Sequence, residues 1–136
     1  MTLKPKRTKY FKSHKRVLKR CETKLTFPKH GEFGIKLIET GRISVNELNA
    51  AKSVLSKKMK RVGKIWLNGF ADLPVSSKPA ETRMGKGKGS VEFWCLPVKS
   101  GRILFEISGI SHVLAKEALC LAKSKLSLKA KVIKNN

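Results

Sequence analysis

A net charge of +22 is the first constraint on this 136-residue chain, because 31 lysines and arginines face only nine acids. A body carrying that charge repels itself unless a counter-surface is present. A polyanion is the partner such a chain fits, and a pI near 10.4 is the footprint of nucleic-acid binding. The competing reading is a basic face that is merely solvated. Hydrophobic side chains make up 40% of the chain, so a folded core with basic extensions is expected rather than disorder. The length suits one domain that buries about two-thirds of its unfolded surface. Lysine outnumbers arginine 24 to 7. Lysine is a point charge and arginine the planar fork that reads base edges, so the balance favours contact with a phosphate backbone.

Several function classes find little support. The three cysteines, Cys21, Cys95 and Cys120, are widely spaced and form no CxxC pair. That argues against a disulfide framework and a zinc site. No apolar run approaches the length of a membrane span, and the basic N-terminus lacks the apolar segment of a signal peptide. Asp72 is the only aspartate, and His14, His30 and His112 show no ligand spacing. No serine sits in a GxSxG elbow. No enzyme activity, cofactor, metal or small-molecule substrate is expected.

Residues 1–20 contain nine lysines and arginines and no acid, with Tyr10 and Phe11 inside the charge run. The first acid is Glu22. This reads as an extended or irregular arm that orders on a polyanion. A mitochondrial transit peptide is also acid-poor and is the competing reading. The arm is assigned to residues 1–32 and a single α+β domain to 33–136. Its RNA-binding candidates are Lys4, Lys6, Arg7, Lys9, Lys12, His14, Lys15 and Arg16.

Within the domain, "FGIKLIE" places Phe33, Ile35 and Leu37 on one face of a strand. Ser44 and Glu47 have the spacing of a capping box. Leu48, Ala51, Leu55, Met59 and Val62 follow at helical spacing, with Lys52, Lys57, Lys60 and Arg61 opposite. Lys57, Lys60 and Arg61, with the neighbouring Lys64, are further RNA-binding candidates. "GKIWLNGF" reads as a strand in which Trp66 serves packing, with a base-stacking platform as the competing reading. "VEFWCLPV" and "RILFEIS" read as two strands joined by "KSG", with Gly101 in the turn. Pro97 suggests an edge or a bulge. Ser111 can cap a helix to about Lys125, with Leu114, Ala118, Leu121, Ala122 and Lys125 as its stripe. "SLKAKVIK" alternates Leu128, Ala130 and Val132 against lysines. The whole reads as α+β, two helices on a mixed or antiparallel sheet.

Residues 71–90 show no periodicity and are expected to form an extended loop, a length usually tied to function. Inside it, "ETRMGKGKGS" combines three glycines with Arg83, Lys86 and Lys88. Glycine lets backbone approach a surface closely, and the cations suit phosphate. The spacing is neither a Walker motif nor GxGxxG, since Ser90 stands at the third glycine. A phosphate-contacting loop is the favoured reading, ahead of a flexible solvated loop and a nucleotide site.

"PKRTKY", "GKIW", "FADLP", "KPAETRMGKGKGS", "EFW", "GRILFEISG" and "AKEALCLAKSKLSLKAKVI" resemble, in this order, the bacterial and organellar form of large-subunit ribosomal protein L sixteen. The resemblance implies an α+β fold embedded in large-subunit rRNA, with neighbouring ribosomal proteins as partners and no membrane. It implies a basic arm threading into RNA, on which Lys6, Arg7 and Lys9 fall. It also implies a loop that reaches toward aminoacyl-tRNA near the peptidyl transferase centre. Lys78, Arg83, Met84, Gly85, Lys86, Gly87, Lys88 and Gly89 belong to that loop. Two departures stand out. Relatives usually carry an Arg/Gly-rich stretch where residues 17–33 read "VLKRCETKLTFPKHGEF", and an arginine near the position of Asn68. The resemblance begins almost at residue 1, which leaves no room for a transit peptide. With the lysine bias, this suggests an organelle-encoded subunit, mitochondrial or plastid, with an AT-rich bacterium as the alternative. A free RNA-binding regulator or chaperone is the second functional reading.

Overall fold

Residues 3–135 are described by a computed structural model. Alternating apolar residues and turn glycines produce nine elements. They are β1 (Phe33–Leu37), β2 (Gly41–Ser44), α1 (Val45–Lys58), β3 (Lys64–Leu67), β4 (Leu73–Ser77), β5 (Ser90–Val98), β6 (Ile103–Ser108), α2 (His112–Lys123) and β7 (Ala130–Lys134). A four-stranded sheet runs β3-β6-β1-β7 and a three-stranded sheet runs β2-β5-β4. Every pairing is antiparallel. The helices lie side by side; α2 covers β1 and β7, while α1 covers β2, β5 and β3.

The core forms where these layers meet. Ile35, Ile43, Leu48, Leu55, Leu104, Phe105, Ile107 and Leu119 are fully buried. Each such side chain contributes about 1.5–3 kcal/mol of transfer free energy. β6 is buried at every position from Ile103 to Ile107, Glu106 included, because β3 and β1 flank it. The capping box holds in part. The Glu47 amide donates to Ser44 Oγ at 3.2 Å, while Ser44 Oγ donates to Glu47 Oε1 at 3.1 Å. The second carboxylate oxygen of Glu47 is taken by Ser127 Oγ at 2.9 Å.

The structure departs from the sequence reading at several points. The stretch 71–90 is not one loop, because β4 lies within it and pairs with β5, leaving 78–89 as the connection. Gly101 turns the chain with φ +88°, but β5 and β6 enter different sheets instead of forming a hairpin. β5 is the middle strand of its sheet, yet β4 pairs with it only as far as Cys95. At Pro97 it has β2 alone as a neighbour, so the missing N–H breaks no ladder on the β4 side.

The α1 stripe holds at Leu48, Ala51, Leu55 and Met59, all buried, but its last expected member and the α2 face depart from the sequence reading. α1 ends at Lys58, and Lys60 (φ +49°) and Arg61 (φ +63°) take left-handed backbone. This turn swings Val62 out to 73% exposure, away from the expected core stripe. In α2 the buried face is Ala115, Ala118, Leu119 and Ala122. Leu121 lies outward, and Lys125 lies beyond the helix end and exposed. Three alanines let α1 approach closely, and that contact selects the face. Trp66 is half-buried and stacks on His30, with ring centroids 6.2 Å apart.

Candidate nucleic-acid interface

Residues 3–32 contain no helix or strand, but they are held along the domain by backbone and side-chain bonds. The Ala71 amide donates to Leu3 O at 3.1 Å, and the Glu22 amide donates to Ser100 O at 2.9 Å. Arg42 Nη2 reaches Arg16 O at 3.1 Å, and the Ile103 amide reaches Leu25 O at 2.8 Å. Leu3 and Pro28 are buried. The arm is therefore irregular, as its composition suggests, and runs bonded along the domain instead of extending away from it. Its cations remain outward. Lys4, Lys6, Arg7, Lys9, Lys12, His14, Lys15 and Arg16 are all exposed. Tyr10 and Phe11 are exposed between them, and Lys9 Nζ lies 5.6 Å from the Tyr10 ring centroid.

The end of the arm is fixed by a buried carboxylate. Glu106 Oε2 accepts from the amides of Lys29 (3.0 Å), His30 (2.7 Å) and Gly31 (2.9 Å). Its other oxygen accepts from Asn68 Nδ2. Burial raises the carboxyl's pKa, but these four bonds favour the charged form and hold it below the ordinary carboxylate value. Gly31 is required here, since a Cβ would stand 2.7 Å from Ile107 O. Asn68, a departure from the resembled family, is thus directed inward. Its carbonyl also accepts from Arg102 Nε (3.2 Å) and Nη2 (2.9 Å).

Loop 78–89 leaves the ends of β4 and β5. Lys78, Arg83, Lys86 and Lys88 are exposed, and Met84 is 99% exposed. Gly85 (φ +98°), Lys86 (φ +53°) and Gly87 (φ +84°) take left-handed backbone in succession. At Gly85 and Gly87 the surrounding space is open, so glycine serves conformation there. At Gly89 it serves packing, because a Cβ would sit 2.1 Å from Ser77 O. Lys78 Nζ donates to Gly85 O at 2.6 Å and braces the loop from within. The arm and the loop also meet: Lys12 Nζ donates to Lys88 O at 2.7 Å, and Lys88 Nζ donates to Ser13 O at 2.6 Å.

A second cationic surface lies at the end of α1. Lys52, Ser53, Ser56, Lys57, Lys60 and Arg61 line an open depression of about 720 Å³. Lys64 is exposed at the start of β3. No hydrogen bond or ion pair joins Lys57, Lys60, Arg61 or Lys64 to the arm or loop among the described residues.

Glu106, Asn68, Arg42 and Arg102 escape sequence reasoning as parts of this architecture. A glutamate between Phe105 and Ile107 reads as the outward position of an alternating strand. Only burial of both faces of β6 reveals its role. Among the described residues no group of three His, Cys, Asp or Glu side chains is placed to hold a metal ion, and no helix is long and apolar enough to cross a membrane.

These features match known proteins. The chain is 47% identical over 131 residues to large ribosomal subunit protein uL16 of Sinorhizobium medicae, covering 96% of each chain. The protein of the same name from Rhizobium etli is 47% identical with the same coverage, and that of Rhodopseudomonas palustris is 45% identical, again over 96% of both. The family model described as ribosomal protein L16p/L10e matches residues 5–133. The match takes in the arm, both sheets, both helices and the glycine loop, and the chain belongs to the ribosomal protein L16p/L10e family.

Proposed function

We propose that the chain is a structural constituent of the large ribosomal subunit that binds rRNA and helps position aminoacyl-tRNA near the peptidyl transferase centre. The family membership supports the ribosomal role and partners, rRNA and neighbouring ribosomal proteins. Neutralisation of RNA phosphates is the mechanism. The exposed cations of the arm, the depression at the end of α1, and Lys64 release counterions from RNA as they bind.

The observation that carries the tRNA role is the construction of loop 78–89. Arg83, Met84 and Lys86 project from a turn whose Gly85 and Gly87 have φ +98° and +84° with open space around them. Bare backbone and cation at such a tip can approach a nucleic-acid surface that bulkier residues would clash with. The reading is tested with subunits carrying Gly87→Val. A β-branched residue is strained at this φ. Incorporation into the subunit is expected to persist while aminoacyl-tRNA binding falls. Normal aminoacyl-tRNA binding by such subunits would refute the loop's role.

The compartment we propose is a ribosome whose subunit is encoded where it is used, mitochondrial first, with plastid and bacterial ribosomes as alternatives. The lysine bias supports it, whereas the named relatives are bacterial. A coding sequence in a nuclear genome with a cleaved leader would overturn it.

A further inference from the structure

The three-stranded sheet carries an irregularity that the phosphate-binding surfaces do not use. Val75 of β4 pairs with Phe93 of β5, but the next residue, Ser76, pairs with Val91. Glu92 is left without a partner across the ladder, which makes it the extra residue of a β-bulge. A bulge re-aims side chains out of strict alternation and often lies beside a functional site. Here it accounts for two adjacent residues, Glu92 and Phe93, lining the same two cavities, of about 650 and 440 Å³. Asn46, in the first turn of α1, lines both as well. Lys15 of the arm and Arg42 of β2 line the larger one. β2 pairs with β5 only from Cys95 onward, so beside Glu92 and Phe93 this edge of the strand has no neighbouring strand.

From this arrangement we infer a pocket for one unstacked RNA base, with Phe93 as the stacking platform, Glu92 and Asn46 as readers of the base edge, and Lys15 and Arg42 as holders of the flanking phosphates. The inference rests on the RNA-binding reading above and adds a base-specific subsite to it. Phe93 is 39% exposed, so part of its side chain is open to a ligand. Aromatic side chains on sheets are a common platform for single-stranded RNA. Glu92 gives the site its selectivity. Glu22, Glu39 and Glu117 each hold a cation, whereas Glu92 has no ion-pair partner among the described residues. The Glu47 carboxylate, also in the larger cavity, is already taken by Ser44 and Ser127. A free carboxylate repels phosphate but accepts from base N–H groups. Guanine, with N1–H and N2–H₂ side by side, suits it best.

The test uses the purified full chain and three probes at one salt concentration: a twelve-nucleotide oligouridine, the same strand with a central guanine, and a twelve-base-pair RNA duplex. The native chain is expected to bind the guanine strand more tightly than oligouridine. Phe93→Leu should weaken both single strands by about tenfold, the size of one lost base–aromatic stack, and leave duplex binding unchanged. Glu92→Gln removes a negative charge and should strengthen general binding slightly, while the ratio of guanine-strand to oligouridine affinity falls toward one. The pocket is refuted if Phe93→Leu leaves single-strand binding intact or weakens the duplex equally, or if Glu92→Gln keeps the guanine preference. Failure of the native chain to bind any of the three RNAs in a salt-dependent way would instead overturn the RNA-binding reading itself.

Discussion

Lys12 and Lys88, 76 positions apart, clasp each other's segments. Lys12 Nζ donates to the Lys88 carbonyl at 2.7 Å, and Lys88 Nζ returns a bond to the Ser13 carbonyl at 2.6 Å. Two like charges are brought together because each finds a carbonyl oxygen, and both ammonium groups remain at the surface, where water screens them. The clasp links the arm to the root of the glycine loop. A partner that grips the arm would thereby also constrain the loop.

Replacing Lys12 with alanine removes one strand of the clasp. Both residues are exposed, so global stability should change by less than about 1 kcal/mol. The loop should open locally more often, in the manner of weakly held segments. Limited proteolysis near Arg83 is the readout, and cleavage should be faster in Lys12→Ala at an unchanged melting temperature. Unchanged cleavage would mean that the clasp does not restrain the loop.

Glu106 predicts an acid-sensitive anchor. Its folded-state pKa is lowered, so its stabilisation is fully present above the ordinary glutamate value of about 4.3. It is lost as pH falls below that and through the depressed folded value. Melting temperature should therefore drop over this acidic window, and Glu106→Gln should flatten that part of the drop. At neutral pH the same substitution turns an acceptor of three amides into a neutral amide, at a cost of about 3 kcal/mol. A variant as stable as the native chain at pH 7 would contradict the buried-carboxylate account.

The loop glycines should separate by role. Gly89→Ala would place a Cβ 2.1 Å from Ser77 O and force the ends of β4 and β5 apart. A loss of about 2 kcal/mol in thermal or denaturant unfolding is expected. Gly87→Ala meets open space and costs only about 1 kcal/mol of left-handed strain. Equal losses at the two positions would show that the loop is not built as described.

Arm contacts should appear in the salt dependence of RNA binding. Each phosphate contact removed, for example by Lys6→Ala or Arg7→Ala, should reduce the log–log salt slope by about 0.7–0.9. Replacing Lys29, whose amide rather than its charge holds Glu106, should alter the slope less.

Much of this fold is legible in the sequence because local patterns carry it. The Ser44–Glu47 spacing, the apolar run Leu48–Ala51–Leu55 and the alternation through Phe33, Ile35 and Leu37 each report one element. β2 is four residues long and runs into the helix cap, so no period can establish itself. β4, "LPVSS", has the composition of a loop and becomes a strand only by pairing with β5. The outward turn of Leu121 depends on how α1 meets the alanines of α2. At the candidate interface, the exposed cations are readable because a dense run of lysine and arginine with so few acids nearby has to stay at the surface. The Lys12–Lys88 clasp and the bonds from the amides of residues 29–31 to Glu106 join residues more than seventy positions apart, and no local pattern encodes them.

The most direct test of the central claim is sedimentation of the tagged chain from native lysate through sucrose gradients at low and high salt. Co-migration with the large subunit that survives the high-salt wash is the result the proposed role predicts, since a constituent held by many phosphate contacts together with packed protein and RNA surfaces is not displaced by screening alone. Release at modest salt, or a pool mainly at the top of the gradient, would contradict it and mark the chain as a peripheral RNA binder.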